Sequence, residues 1–329
     1  VKTVRKSAPG KAARAPHRAS VNDLSANDLS ANDRRRALPV IPPPRPFARA
    51  GILGPRLFAL IDATDTAARI AGDPLEFPHR YSDPLDVEVA ALLSAAVAYG
   101  RVDLFKPRLA ELLDALGPHP GAVARDGSYR ELIRLCRAFH YRMTGPEEIA
   151  SLLAGAGQLL RAHGSLGAAF SSMYRAAGEP SIRGALGLFV DALTTRDAIP
   201  ASRRLKHLLP HPARGSACKR LNLFLRWMVR GPDGVDLGLW RDIPAAALVI
   251  PLDTHVHRIS GLVGLTRRRD LSWRTAEEIT ARLRALDSAD PVRFDFSLSH
   301  LGISGSCPSR RDEAKCTGCP LRPVCRHWA

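Results

Sequence analysis

Four cysteines fall within the last twenty-three residues: Cys307, Cys316, Cys319 and Cys325, in the pattern C-x8-C-x2-C-x5-C. They are four of the six cysteines in a chain of 329 residues. Thiolates at this density, in a segment too short to bury a core of its own, read as one metal centre. A single CxxC flanked by two lone cysteines suits a cluster wrapped by one loop, which points to 4Fe–4S. A structural zinc ion, which more often uses two CxxC units, is the alternative. Pro308, Pro320 and Pro323 help to hold the loop extended around such a centre. Disulfides are disfavoured, because nothing in the sequence reads as secreted.

Two further segments stand out. Gly215-Ser216-Ala217-Cys218-Lys219 opens a helix that also carries Asn222, and Pro251-Leu252-Asp253-Thr254-His255-Val256 opens another. With the cysteine loop behind them, these segments resemble the helix–hairpin–helix DNA glycosylase superfamily, typified by endonuclease III. Tyr81-Ser82-Asp83-Pro84 with Leu92-Leu93-Ser94-Ala95 also looks like that family's first core helix. The resemblance covers residues 80–329. The segment KRLNLFLRWMVR, followed by a tryptophan-bearing loop and IPLDTHV, is similar to a bacterial branch of the same superfamily.

Three departures accompany the resemblance. The first cysteine gap is eight residues where the family usually has six. Ala217 stands where the family usually has its second hairpin glycine, so backbone approach to a phosphate differs there. The interval from Lys219 to Asp253 is 34 residues, longer than the family's usual spacing. The surplus falls in the loop 231–248, where it can bulge without moving the two ends apart.

The resemblance implies a catalytic pair. Lys219 would be the amine that attacks C1′ of deoxyribose, and Asp253 the carboxylate that supports oxocarbenium character as the base leaves. A lysine must be neutral to attack, and its ordinary pKa of about 10.4 is too high. Burial beside Leu221 and Leu223, and a place early in a helix, both favour the neutral amine. The macrodipole at a helix N-terminus keeps the Asp253 carboxylate ionised. The expected course is base extrusion, attack, Schiff-base formation and β-elimination. Each residue also has a plainer reading. Lys219 suits an exposed phosphate contact, and Asp253 is a favoured N-cap. The alternatives on the same scaffold are a monofunctional glycosylase and a non-catalytic DNA-binding or damage-sensing protein.

Other residues are weaker candidates. Gly215, Ser216, Arg226 and Arg230 would follow the phosphate backbone from the hairpin and its helix, as would Arg310, Arg311 and Arg322 from the cysteine loop and Arg267-Arg268-Arg269. Charge runs more often form a solvated face. Tyr99 and Asp295 lie near the ends of family-like helices, where a base pocket would be lined. Trp227 and Trp240 suit the core, with stacking on a base as the other reading. Cys136 and Cys218 read as core thiols. His255 and His257, two apart, lie on different helix faces and so do not share a metal.

The elements that must position these groups are helical. Periodicity predicts helices over 85–99, 102–116, 128–141, 146–162, 165–176, 181–194, 218–230, 274–286 and 291–301. No alternation argues for a sheet, and the fold class is all-α. The resemblance implies two helical lobes with a central cleft. One is a barrel over 86–250 with the hairpin at 208–219. The other joins 46–85 to 251–329 with the cysteine loop 307–325. Lys219 and Asp253 would face each other across the cleft.

Residues 1–45 read as a disordered basic tail. The net charge is +16, and the first fifty residues carry eleven Lys/Arg against three Asp. Half of the excess therefore lies in the remainder, so the charge is more than a tail effect. Polyanion binding is its leading physical meaning, with a generic solubility charge or an arginine bias from a GC-rich genome as the plain one. No apolar run reaches the roughly twenty residues that span a bilayer. The expectations are a cytoplasmic, nucleoid-associated monomer whose partner is damaged double-stranded DNA.

Overall fold

A computed structural model describes residues 36–195 and 203–328. Most of the expected basic tail, residues 1–35, lies outside the described residues. The chain is all-α: among the described residues there is no strand, only the isolated bridges Tyr141–Thr144 and Ser216–Ser272. No helix among them is long and apolar enough to cross a membrane.

Helices α1 (Ala50–Asp62) and α2 (Thr66–Ile70) lead into α3 (Pro84–Val97), the most buried of the set. Asp83 caps α3 by accepting from the backbone N–H groups of Leu85 and Asp86, with Pro84 in the first turn. Twelve of its fourteen residues are buried, and they are mostly Ala, Val and Leu, so neighbours approach from every side. Two of the twelve are acids, and each holds the start of another helix. Asp86 accepts from Gly121 N at 2.8 Å in α5 (Pro120–Asp126). Glu88 accepts from Leu166 N and Gly167 N in α8 (Leu166–Ala177), and from Trp240 Nε1 at 2.7 Å. Orphan N–H groups at two helix ends are thereby satisfied by carboxylates from the core helix.

Helices α4 (Val102–Leu116), α6 (Tyr129–Cys136), α7 (Pro146–His163) and α9 (Arg183–Thr194) pack with α5 and α8 around α3. The helix expected over 128–141 stops at Cys136. A tight turn follows, with Arg142 at φ 53° and Tyr141 paired to Thr144, and Pro146 starts the next helix. Helix α10 (Arg203–Leu208) precedes the hairpin, and α11 (Lys219–Val229) packs on α3. Helices α12 (Thr254–Leu262), α13 (Trp273–Arg284) and α14 (Asp295–Ile303) follow, with α12 lying across α14. The cysteine loop holds the short α15 (Glu313–Cys316) and a single 3₁₀ turn at Arg322–Val324.

The long interval between α11 and α12 does not bulge away. Leu237 N donates to Trp227 O and Trp240 N to Met228 O, so the loop folds back along the end of α11. It delivers Trp240 to the core against Phe170 and Phe224. Trp227 and Trp240 are both buried, and this settles their role as packing rather than stacking on a base. Cys136 and Cys218 are also buried, and burial pushes both thiols up to about 12.

Candidate active site and cysteine loop

The hairpin before α11 runs through Gly215 at φ +80° and Cys218 at φ 48°. The second left-handed position therefore falls on Cys218, and Ala217 takes an ordinary conformation where a glycine was expected. Cys218 is held there by its own N–H donating to Ser216 Oγ at 3.2 Å and its thiol to Pro210 O at 3.2 Å. Asn222 Nδ2 donates back to Ala217 O at 3.0 Å and ties the turn to the helix. The whole hairpin is anchored to α13, through Trp273 N donating to Gly215 O at 3.0 Å. Cys218 supplies no side-chain cap, so the first N–H groups of α11 are open.

Lys219 is the first residue of α11, and Asp253 is the N-cap of α12. Asp253 Oδ1 accepts from His255 N at 2.9 Å and Val256 N at 2.8 Å. The plain capping reading is thus met by one oxygen, and Oδ2 is left over. Lys219 and Asp253 line the same cavity, of about 630 Å³, together with Tyr99, Arg220, Phe296 and Asp295. Among the described residues no ion pair joins Lys219 to either carboxylate. The Tyr99 hydroxyl is engaged with Tyr141 O and Thr144 Oγ1, which fixes its ring in the wall.

Asp295 is the buried acid of this cavity. Arg226 Nη1 donates to its Oδ2 at 2.5 Å, while Oδ1 has no hydrogen-bond partner. Its carboxyl is raised to about 6, by burial first and by the Asp253 charge, against the pull of Arg226 and Lys219.

Arg226 and Arg230 do not face a phosphate backbone. Arg226 is buried between Asp236, at 3.1 Å, and Asp295. Arg230 bonds Asp290 at 2.7 Å, Asp233 at 2.9 Å and Asp236. A guanidinium taken out of water must be paired, and the loop after α11 supplies the Asp236 that pairs both. Nothing local in the sequence marks this pairing, because Asp236 lies on the loop that folds back along α11.

His257 Nε2 donates to the backbone Arg268 O at 3.0 Å, so it is structural. His255 of α12 lies against Gly302 of α14, and it also lines the cavity. Arg267 and Arg269 are exposed, and Arg268 is tied to Thr275 Oγ1.

Beyond α14, Cys307, Cys316, Cys319 and Cys325 all line one small cavity, walled by Ile259, Leu262, Leu301 and Leu321. None is disulfide-bonded. Among the described residues no group of three or more His, Cys, Asp or Glu side chains is drawn together as a metal-ion site. Arg258 of α12 clasps the loop: it donates to Cys307 Sγ at 3.3 Å, Cys307 O at 2.7 Å and Pro308 O at 2.8 Å. Arg326 N closes the far end of α12 on Leu262 O at 2.9 Å. Arg310 is exposed at the cavity edge. Arg311 and Arg322 stack on the Trp328 indole at 3.9 and 4.1 Å, which fixes both guanidinium groups at the loop surface.

Residues 73–304 match the family described as Protein of unknown function (DUF2400). The chain belongs to the DUF2400 family. The matched span contains the hairpin, Lys219, Asp253 and Asp295, and it ends three residues short of Cys307. Asp73, at its first position, lines the same cavity as Lys219. No curated protein matches this DUF2400 member.

Proposed function

We propose that this protein is a DNA repair glycosylase with AP-lyase activity, which removes a damaged base from duplex DNA. The observation that carries this reading is the convergence of Lys219 and Asp253 on one cavity. They lie 34 residues apart, and each sits at the start of its own helix. The cavity is large enough for a nucleotide and has aromatic walls in Tyr99 and Phe296. The two-lobed helix–hairpin–helix scaffold is part of the same proposal, with the cavity as its cleft.

The chemistry follows from the groups present. The glycosidic bond breaks, and its electron pair leaves with the base. The Nζ lone pair of Lys219 forms the new bond at C1′, and the amine proton passes to a carboxylate. Asp253 Oδ2, which the helix cap leaves unused, is an acceptor on the same cavity, and Asp295 is a buried second carboxyl within electrostatic reach. Opening of the sugar ring gives the imine, and loss of a C2′ proton then expels the 3′ phosphate. Asp253, ionised, supports the positive charge that develops at C1′.

Cys307, Cys316, Cys319 and Cys325 would hold a 4Fe–4S cluster. The donor set fits: four thiols stand around a common cavity with aliphatic walls, and Arg258 already donates to one of them. A zinc ion would instead draw all four sulfurs to about 2.3 Å from one point. The cluster would supply a rigid cross-link that fixes the loop against α12, and Arg310 and Arg311 would meet the DNA backbone from its surface.

Borohydride trapping on labelled duplexes bearing an abasic site or a damaged base tests the proposal. Wild type should form a covalent adduct, and Lys219→Ala should form none. Absence of any adduct on every duplex, with DNA binding intact, would leave a monofunctional enzyme or a non-catalytic binder. Excision that survives in Lys219→Ala would place water in the nucleophile's role.

A further inference from the structure

Arg220, next to Lys219, was not singled out by its sequence context. It lines the same cavity. Its guanidinium lies 4.9 Å from the centroid of the Tyr99 ring. Nη1 donates to Ala96 O at 2.9 Å, and Nη2 donates to His207 O. These two carbonyls, from the end of α3 and from α10, fix the plane of the fork.

No carboxylate pairs with it among the described residues. The contrast within one helix is sharp, since Arg226 and Arg230 share four aspartates between them. Burial pushes the Arg220 guanidinium downward, and only Tyr99 and Cys218 oppose that shift. Guanidinium carries five N–H donors, and two are used on carbonyls, so three remain.

The lining of the cavity leaves the guanidinium without a partner of its own. Its wall contains Arg101 paired with Asp103 and Arg226 paired with Asp295. The other two carboxylates of the wall, Asp73 and Asp253, form no ion pair with Arg220 among the described residues. A mostly buried cation with spare donors and no counter-ion is a site for an anion that arrives from outside. The open N–H groups at the start of α11 add the same sign of charge.

We propose that Arg220 forms a preorganised phosphate-binding site on the wall of the Lys219 cavity, whose ligand is a phosphodiester next to the nucleotide held there. A planar fork locked by two carbonyls presents its remaining donors without further loss of freedom. The inference uses the DNA reading only for the source of the phosphate. It does not depend on catalysis.

The experiment is a chemical double-mutant cycle, read as binding. Duplexes carrying a tetrahydrofuran abasic analogue are prepared with one neutral methylphosphonate at each flanking phosphate in turn. Their affinities for wild type, Arg220→Gln and Arg220→Lys are measured by anisotropy across a salt series. One methylphosphonate should cost wild type about tenfold and Arg220→Gln almost nothing, and the salt slope of Arg220→Gln should fall by about one. Arg220→Lys should lie between them, because it keeps the charge and loses the fork. Additive losses at every phosphate would overturn the proposal. So would a wild-type protein indifferent to every methylphosphonate, a result that stands even where Arg220→Gln fails to fold. In a parallel arm, millimolar inorganic phosphate is tested for its effect on melting. A shift in wild type that is absent from Arg220→Gln, with the methylphosphonate series flat, would make free phosphate the ligand and overturn the DNA assignment. Failure of the catalytic reading shows instead as absence of a borohydride adduct, which none of these readouts needs.

Discussion

The cap that Asp253 forms and the catalytic role proposed for it use different oxygens, and the two can be separated. Oδ1 takes the N–H groups of His255 and Val256, and Oδ2 remains for the cavity. Asparagine is also a favoured N-cap, so Asp253→Asn should cost at most about 0.5 kcal/mol in chemical denaturation. The same variant should lower base excision by about 100-fold, because the charge opposite C1′ is gone. A drop in stability without a drop in excision would reduce Asp253 to a cap. Asp295 offers a different handle. Its carboxyl is raised from 3.8 to about 6, so the folded protein holds a proton there that the unfolded chain has already released. The contribution to stability is complete below the unfolded pKa and is lost as pH rises through the folded one. Wild type should therefore lose stability relative to Asp295→Asn between about pH 4 and about pH 6. Urea melts of the two proteins across that range would refute the assignment if their difference stayed constant.

Helix α12 is the element on which both candidate centres depend. Its first turn is capped by Asp253, its middle reaches the cysteine loop through Arg258, and its last carbonyls receive Arg326 N. It lies so close to α14 that a Cβ on Gly302 would stand 2.5 Å from His255 Cβ. Gly302→Ala must push α12 away, and overpacking of this kind costs about 1–3 kcal/mol. Because His255 is two residues from Asp253, trapping at Lys219 should fall with it. Stability lost with full activity retained would show that the crossing does not set the site. These elements also show what could be read in advance. The hairpin before Lys219, the cap at Asp253 and the cysteine spacing were legible because each announces itself locally. Arg226, Arg230 and Arg220 were not, because their roles depend on what packs against them. Asp236 pairs two of them from a loop that sequence alone left as a bulge. The missed end of the helix at Cys136 has the same origin, since the Tyr141–Thr144 turn is held by packing on Tyr99.

At the scale of the whole molecule, the sequence places the four loop cysteines and the proposed catalytic pair 54 residues apart, counted from Asp253 to Cys307. The structure joins them through one nine-residue helix. Coupling across that helix should run in one direction. The loop fixes the far end of α12, so losing its centre frees the helix that carries Asp253. Lys219 sits on α11, and among the described residues no hydrogen bond or ion pair ties α11 to that loop. Cys319→Ser should therefore lose bound iron, lower the melting temperature by at least about 5 °C, and reduce trapping by about tenfold or more. Lys219→Ala should lose trapping alone and keep the iron and the melting temperature of wild type. The remaining thiols give an internal control. Cys136 and Cys218, pushed up to about 12 by burial, should stay unreactive to a thiol reagent at neutral pH in both variants until denaturant is added. Loss of their protection in Cys319→Ser would mean global unfolding, and the drop in trapping would then say nothing about α12. With that protection intact, normal trapping in a protein stripped of its centre would separate the loop from the chemistry and make the cysteines a module of their own.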